Sequence, residues 1–184
     1  DGDGQAEAVF YNGFRAGVDI TPGATDATAC EDWARYPGPD ATALGVANLA
    51  AHGVQGRGVL IDLERHLGRR REAVGYERLM RILQADRVEI EPGDMVCLHT
   101  GFADTLLTMH RKPDLQRLHE TGSGLDGADE RLLGWITDVR LACVIADNPA
   151  VELTGVPLLG GLTPMRRPRL PLHEHCLFKN GIHL

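Results

Sequence analysis

The chain has 184 residues, of which 43% are hydrophobic and 24% charged, and it carries a formal net charge of -7. That is one domain of ordinary size with enough apolar residues for a core, which excludes a disordered chain. The acidic balance argues against nucleic acid or an anionic membrane as partner, no apolar run reaches the ~18–20 residues of a membrane span, and no signal-peptide pattern opens the chain.

Residues 1–40 are rich in turn formers, with Pro22-Gly23 and Pro37-Gly38-Pro39 among them, and read as an irregular N-terminal segment of a single domain over 1–184. Asp40 is placed to cap a helix over 41–52 that Gly53 ends. Gly58 to Leu63 is a short apolar run of the kind a strand covered on both faces shows. Residues 72–85 carry Val74, Leu79, Met80 and Leu83 at helical spacing. After the turn at Pro92-Gly93, residues 94–99 form a second apolar strand, whereas 101–124 is weakly patterned and reads as irregular. Asp126 opens a helix to about Thr137, residues 141–146 form a third strand, and a last short helix over 173–180 is closed by Gly181. Helices alternating with apolar strands predict an α/β domain with a parallel or mixed central sheet. Asp62, His99, Asp147 and Asn148 fall at strand ends, where such folds place ligands, although each alone is more often a turn or cap residue.

Several chemistries can be set aside. The glycines at 53, 56 and 58 precede a strand instead of following one, so they do not form a dinucleotide loop. Ser123 is the sole serine and lies outside any nucleophile elbow. The four cysteines, Cys30, Cys97, Cys143 and Cys176, include no C-x-x-C pair, and two lie in apolar runs, as reduced thiols of a cytoplasmic protein do. Cys176 follows His175 directly, which leaves a thiol nucleophile open in principle. Among eight histidines, His173-Glu174-His175 stands out, because an H-x-H pair beside a carboxylate offers ligands suited to zinc or manganese. Two or three further ligands are needed, and nothing local supplies them.

Several blocks resemble one known family, the cyclase-family metal-dependent hydrolases. Gly56-Arg57-Gly58-Val59-Leu60-Ile61-Asp62 is similar to its GRGVLLD segment, and residues 92–102 (PGDMVCLHTGF) to its PGDvvLlrTGw block. Ser123-Gly124-Leu125 is similar to its PGL turn, and residues 144–152 (VIADNPAVE) to its aDnxavE block. Pro171-Leu172-His173-Glu174-His175 with Gly181-Ile182-His183-Leu184 resembles the closing segment, and Phe10-Tyr11-Asn12-Gly13 a segment that follows the metal-binding region in longer members.

The family includes kynurenine formamidases and isatin hydrolases. The resemblance implies a swivelling β/β/α fold with a mixed central sheet, in homodimers or homotetramers, holding one or two divalent ions (zinc or manganese) that activate water and polarise a carbonyl. The implied reaction is hydrolysis of an amide C–N bond in a formamide or cyclic amide, as an arylformamidase performs it on a small-molecule substrate. By position His173 matches the family's C-terminal metal or catalytic histidine, and a slip of two residues would put His175 there. Tyr11, Asn12, Asp147 and Asn148 fall where the resemblance places the substrate pocket, with loop-holding an equal reading for the last two. The family's H-x-G-T-H-x-D motif belongs upstream of Tyr11, and its late glutamate would follow Leu184. The chain, opening at Asp1 without methionine and stopping in mid-pattern, is therefore expected to be truncated at both ends, with most metal ligands outside residues 1–184. The alternative is a catalytically inactive family member that serves as a binding or oligomerisation module.

Overall fold

The structure is a computed structural model that describes residues 13–15, 17–20, 45–153 and 170–184. It divides into two compact units, residues 1–55 and 56–184. In the first, α1 (Val46–His52) ends at Gly53 with φ of 72°, as the sequence predicts. The predicted start of that helix at 41–44 and its cap Asp40 lie outside the described residues, as do Tyr11 and Asn12.

The second unit begins with β1 (Gly58–Asp62), which passes directly into α2 (Leu63–Leu67). Asp62 makes that corner, its carboxylate accepting the Arg65 N–H at 3.0 Å. Next come β2 (Ala73–Val74), α3 (Tyr76–Asp86) and β3 (Met95–His99). The segment expected to be irregular holds two short helices, α4 (Phe102–Leu107) and α5 (Leu115–His119), and the two-residue β4 (Gly124–Leu125). Then follow α6 (Glu130–Val139), β5 (Cys143–Ala146) and α7 (Pro171–His173), which continues as a π-helical segment over Glu174–Asn180 closed by Gly181.

β1, β3 and β5 form one sheet in that order, every pair parallel. β2 and β4 form a second, also parallel, and Glu152 bridges to Leu125 alongside it. The α/β class is therefore the one the alternating pattern predicts. Both sheets are parallel throughout, and the antiparallel Arg70–Thr121 bridge lies outside their strands.

One face of the main sheet supplies Ile61, Val96, Leu98 and Val144 to the core, against Leu79, Ile82 and Leu83 of α3 and Leu132 and Ile136 of α6. The i, i+3, i+4 spacing of Leu79, Ile82 and Leu83 is what turns one stripe of α3 inward. The other face carries Leu60, Cys97 and Ile145 in register across the three strands. At the strand starts, Asp94 is 2% exposed and receives the Arg57 guanidinium twice, at 2.8 and 2.7 Å. That fork-to-carboxylate pair, with the Glu91 N–H, holds the Asp94 carboxyl well below its ordinary range.

α3 and α6 share a cap. Asp129, and not the expected Asp126, opens α6 by accepting the Arg131 and Leu132 N–H groups, and its second oxygen accepts Tyr76 N–H at 2.7 Å at the start of α3. Gly75 leaves room for this, since a Cβ there would lie 2.5 Å from the Asp129 oxygen. No helix among the described residues is long and apolar enough to cross a membrane. Asp129→Ala leaves donors of two helices unmet, so it should destabilise the unit by about 2–3 kcal/mol, read as a fall in Tm.

Candidate functional site

The C-terminal ends of the parallel strands gather the polar residues. His173 lies at the end of α7, and its Nδ1 is 2.9 Å from an oxygen of Glu152. The Glu152 side chain is 3% exposed and that of His173 18%. The same carboxylate accepts the backbone N–H of Leu172 at 3.1 Å and of His173 at 3.3 Å. It therefore both caps the short helix and fixes its histidine. Space for it comes from Gly127, where any Cβ would collide with the carboxylate.

His173 also lines a cavity of about 370 Å³ with Ile145, Ala146, Asn148, Ala150 and Leu184. Its Nε2 has no hydrogen-bond partner among the described residues. A buried carboxylate behind one ring nitrogen, with the other left bare, is the arrangement that orients a metal-ligating imidazole. A second cavity, of about 250 Å³, lies beside it: Phe102, Leu115, Leu118 and Leu153 give apolar walls, Arg71 and His119 polar ones, and Glu152 part of the lining.

His175, two residues on, faces elsewhere. Its Nε2 is 2.8 Å from the Thr137 hydroxyl on α6, and burial pushes its imidazole below the ordinary range. The H-x-H pair is thus not brought together on one site. Cys176 is fully buried, and burial, helped by the Glu152 charge, pushes its thiol up to about 12, which removes the thiolate reading. Ser123 is also fully buried.

Asp147 and Asn148 hold loops. Asp147 accepts Thr100 N–H at 2.6 Å and Ala103 N–H at 3.3 Å, tying the end of β5 to the start of α4. Burial raises its carboxyl, but those bonds prevail and keep it below the ordinary range. The Asn148 oxygen accepts Val151 N–H at 2.6 Å and Ala150 N–H at 3.3 Å, and its amide donates to the Ser123 carbonyl at 2.9 Å. Val151 has φ of 57°, and it is the one β-branched residue with positive φ among those described, at a cost of about 1–3 kcal/mol.

A second cluster went unassigned in the sequence beyond the strand-end positions of Asp62 and His99. His99 Nδ1 is 3.1 Å from Asp62 and its Nε2 3.4 Å from Glu64. Glu64, His99 and Asp104 bring one potential ligand atom each within 4.8 Å of one another, a donor set of the type that holds a divalent ion. Arg69 pairs with both of those carboxylates, closely with Glu64 and at 3.3 Å with Asp104, so a cation entering there would meet a guanidinium.

The molecule is thus an α/β protein with a carboxylate-backed histidine beside a cavity at the strand ends. The family model described as "Putative cyclase" matches residues 20–153, and the chain belongs to the cyclase family. A solved structure titled as that of a novel cyclase is similar, with a TM-score of 0.60 and 25% identity over 97% of this chain and 50% of that one. This chain thus spans half the length of that protein. No curated protein matches it.

The His99 imidazole is raised above its ordinary range, first by its bond to Asp62, and Asp62 is lowered because the Arg65 N–H and His99 outweigh its burial. A raised histidine stabilises fully below about pH 6.5 and a lowered aspartate fully above about pH 4, so the pair contributes most between those values. In Asp62→Asn the His99 titration followed by NMR should move down towards pH 6.5, and the loss of stability should be largest inside that window.

Proposed function

We propose that this chain belongs to a metal-dependent hydrolase that cleaves the amide C–N bond of a formamide or cyclic amide, in the manner of an arylformamidase. The observation that carries this reading is the Glu152–His173 pair, with Nδ1 held by the carboxylate and the histidine lining a cavity. The likeness to a cyclase structure supports it at the level of the family.

In this reading His173 is the ligand this segment contributes, through Nε2, and the other ligands come from outside the described residues. What a divalent ion, zinc or manganese, supplies when bound is the activation of water and polarisation of the scissile carbonyl. Glu152 keeps the Nδ1 proton in place and the ring in one orientation. The apolar cavity of Phe102, Leu115 and Leu118 suits the aryl part of an N-formyl aryl amine. A homodimer or homotetramer is part of the proposal, supported by Leu60 and Ile145, which are 62% and 46% exposed on one sheet face. So is a cytoplasmic location, supported by the free thiols of Cys97, Cys143 and Cys176.

The test is hydrolysis of an N-formyl aryl amine by the full-length protein before and after chelation. Activity should vanish with chelator and return with Zn²⁺ or Mn²⁺. His173→Ala should lower kcat/KM by more than the ~10–100-fold typical of losing a group behind a ligand. His175→Ala should cost only its bond to Thr137, about 1 kcal/mol of stability. Full activity in His173→Ala would remove the assignment, and chelator-insensitive inactivity would favour a non-catalytic binding module.

A further inference from the structure

The strained turn before Glu152 is placed to control the histidine. Val151 sits in the left-handed region, which a β-branched side chain avoids, and both of its backbone polar groups are fixed. Its N–H goes to the Asn148 oxygen at 2.6 Å, and its carbonyl accepts Leu125 N–H at 2.9 Å. Leu153 N–H then donates to the Leu125 carbonyl at 2.9 Å, so Glu152 is carried between two bonds to one residue of β4. Asn148 is itself anchored, through its amide, to the Ser123 carbonyl at 2.9 Å. From this turn the Glu152 carboxylate reaches the pocket over Gly127 and takes Leu172 N–H, His173 N–H and His173 Nδ1.

We infer that Asn148 is a positioning residue: by holding Val151 in its left-handed conformation, it aims the Glu152 carboxylate at His173 Nδ1 and so fixes which ring nitrogen of His173 stays bare. Asn148 lines both cavities, but in this role it acts on the backbone of Ala150 and Val151 and touches no substrate. The relevance to catalysis rests on the hydrolase reading, whereas the effect on the His173 ring does not. Without the Asn148 oxygen, nothing among the described residues accepts the Val151 N–H, the Glu152 N–H bond to the Ala150 carbonyl is left to oppose the strain across Val151, and the turn shifts towards negative φ. Glu152 follows the backbone, and the imidazole loses its acceptor. Glycine at position 151 adopts positive φ without that help.

The discriminating readout is the tautomer of His173 in the metal-free full-length protein, by ¹⁵N NMR at pH 8, with the signal assigned from its loss in His173→Gln. Wild type should carry its proton on Nδ1. Asn148→Ala should give a mixture dominated by Nε2–H, and Asn148→Ala/Val151→Gly should return to Nδ1–H. Asn148→Asp keeps the accepting oxygen but loses the amide's bond to the Ser123 carbonyl, so it should keep Nδ1–H as the larger share, and it serves if the alanine variant does not fold. Mn²⁺ titration by calorimetry adds a second readout: weaker binding by ~10–100-fold in Asn148→Ala, largely recovered in the double variant. An unchanged tautomer in Asn148→Ala, no recovery in the double variant, or Nε2–H as the larger share in Asn148→Asp would overturn the inference. Tautomers that respond as expected without Mn²⁺ binding in any variant would uphold the positioning role and count against the hydrolase reading.

Discussion

The Glu152 carboxylate is taken almost wholly out of water, and a buried charge persists only where donors surround it. Three donors from two consecutive residues meet that demand: the N–H groups of Leu172 and His173 and the His173 ring. The C-terminal segment is thereby fastened beside the β2–β4 sheet by a group that also sets a histidine. Leu172 and Cys176, both fully buried, pack the same segment into the core. Further along, His183 accepts Val144 N–H at 2.9 Å beside β5, so the end of the segment is tied to the main sheet as well. Removing one partner of such a set leaves desolvated groups unmet, which costs more than the bond itself contributes.

Carboxylates make similar ties at several strand ends and helix starts. Asp62 makes the corner from β1 to α2, Asp147 joins β5 to α4, and Asp129 joins α6 to α3. Arg57 and Asp94 do so at the opposite end, binding the starts of β1 and β3. These carboxylates satisfy backbone N–H groups that short helices and tight turns leave unpaired. The blocks by which the chain resembles its family contain several of these ties: Arg57 and Asp62 lie in one, Asp94 in another, and Asp147, Asn148 and Glu152 in a third. Their first role here is structural, and the candidate site is assembled on top of them.

The three main strands, α3 and α6 were legible in the sequence because apolar runs and 3.6-residue spacing follow from burial. α4 and α5 were not, since α5 buries none of its residues and α4 only Thr105, so neither imprints a pattern. β2 and β4 are two residues long, too short for any period, and α2 was hidden because Leu63 extends the apolar run of β1. Asp126 resembled a cap, yet it accepts Ala128 N–H in the turn before α6, and the cap falls to Asp129. His173 was legible as a candidate from H-x-H and from position. Its partner Glu152 was visible only as the last letter of a block, because a contact across 21 residues leaves no local spacing to read. The Asp62–His99–Glu64 cluster was foreshadowed by strand-end positions alone.

If Glu152 holds His173 so that Nε2 serves as a metal ligand, a divalent ion must bind at that nitrogen. Anomalous diffraction from crystals of the full-length protein grown with Mn²⁺ would locate the ion. The expected result is an anomalous peak in contact with His173 Nε2, with Nδ1 still on Glu152. A peak confined to Glu64, His99 and Asp104, or a His173 ring turned away from Glu152 with Mn²⁺ bound, would contradict it.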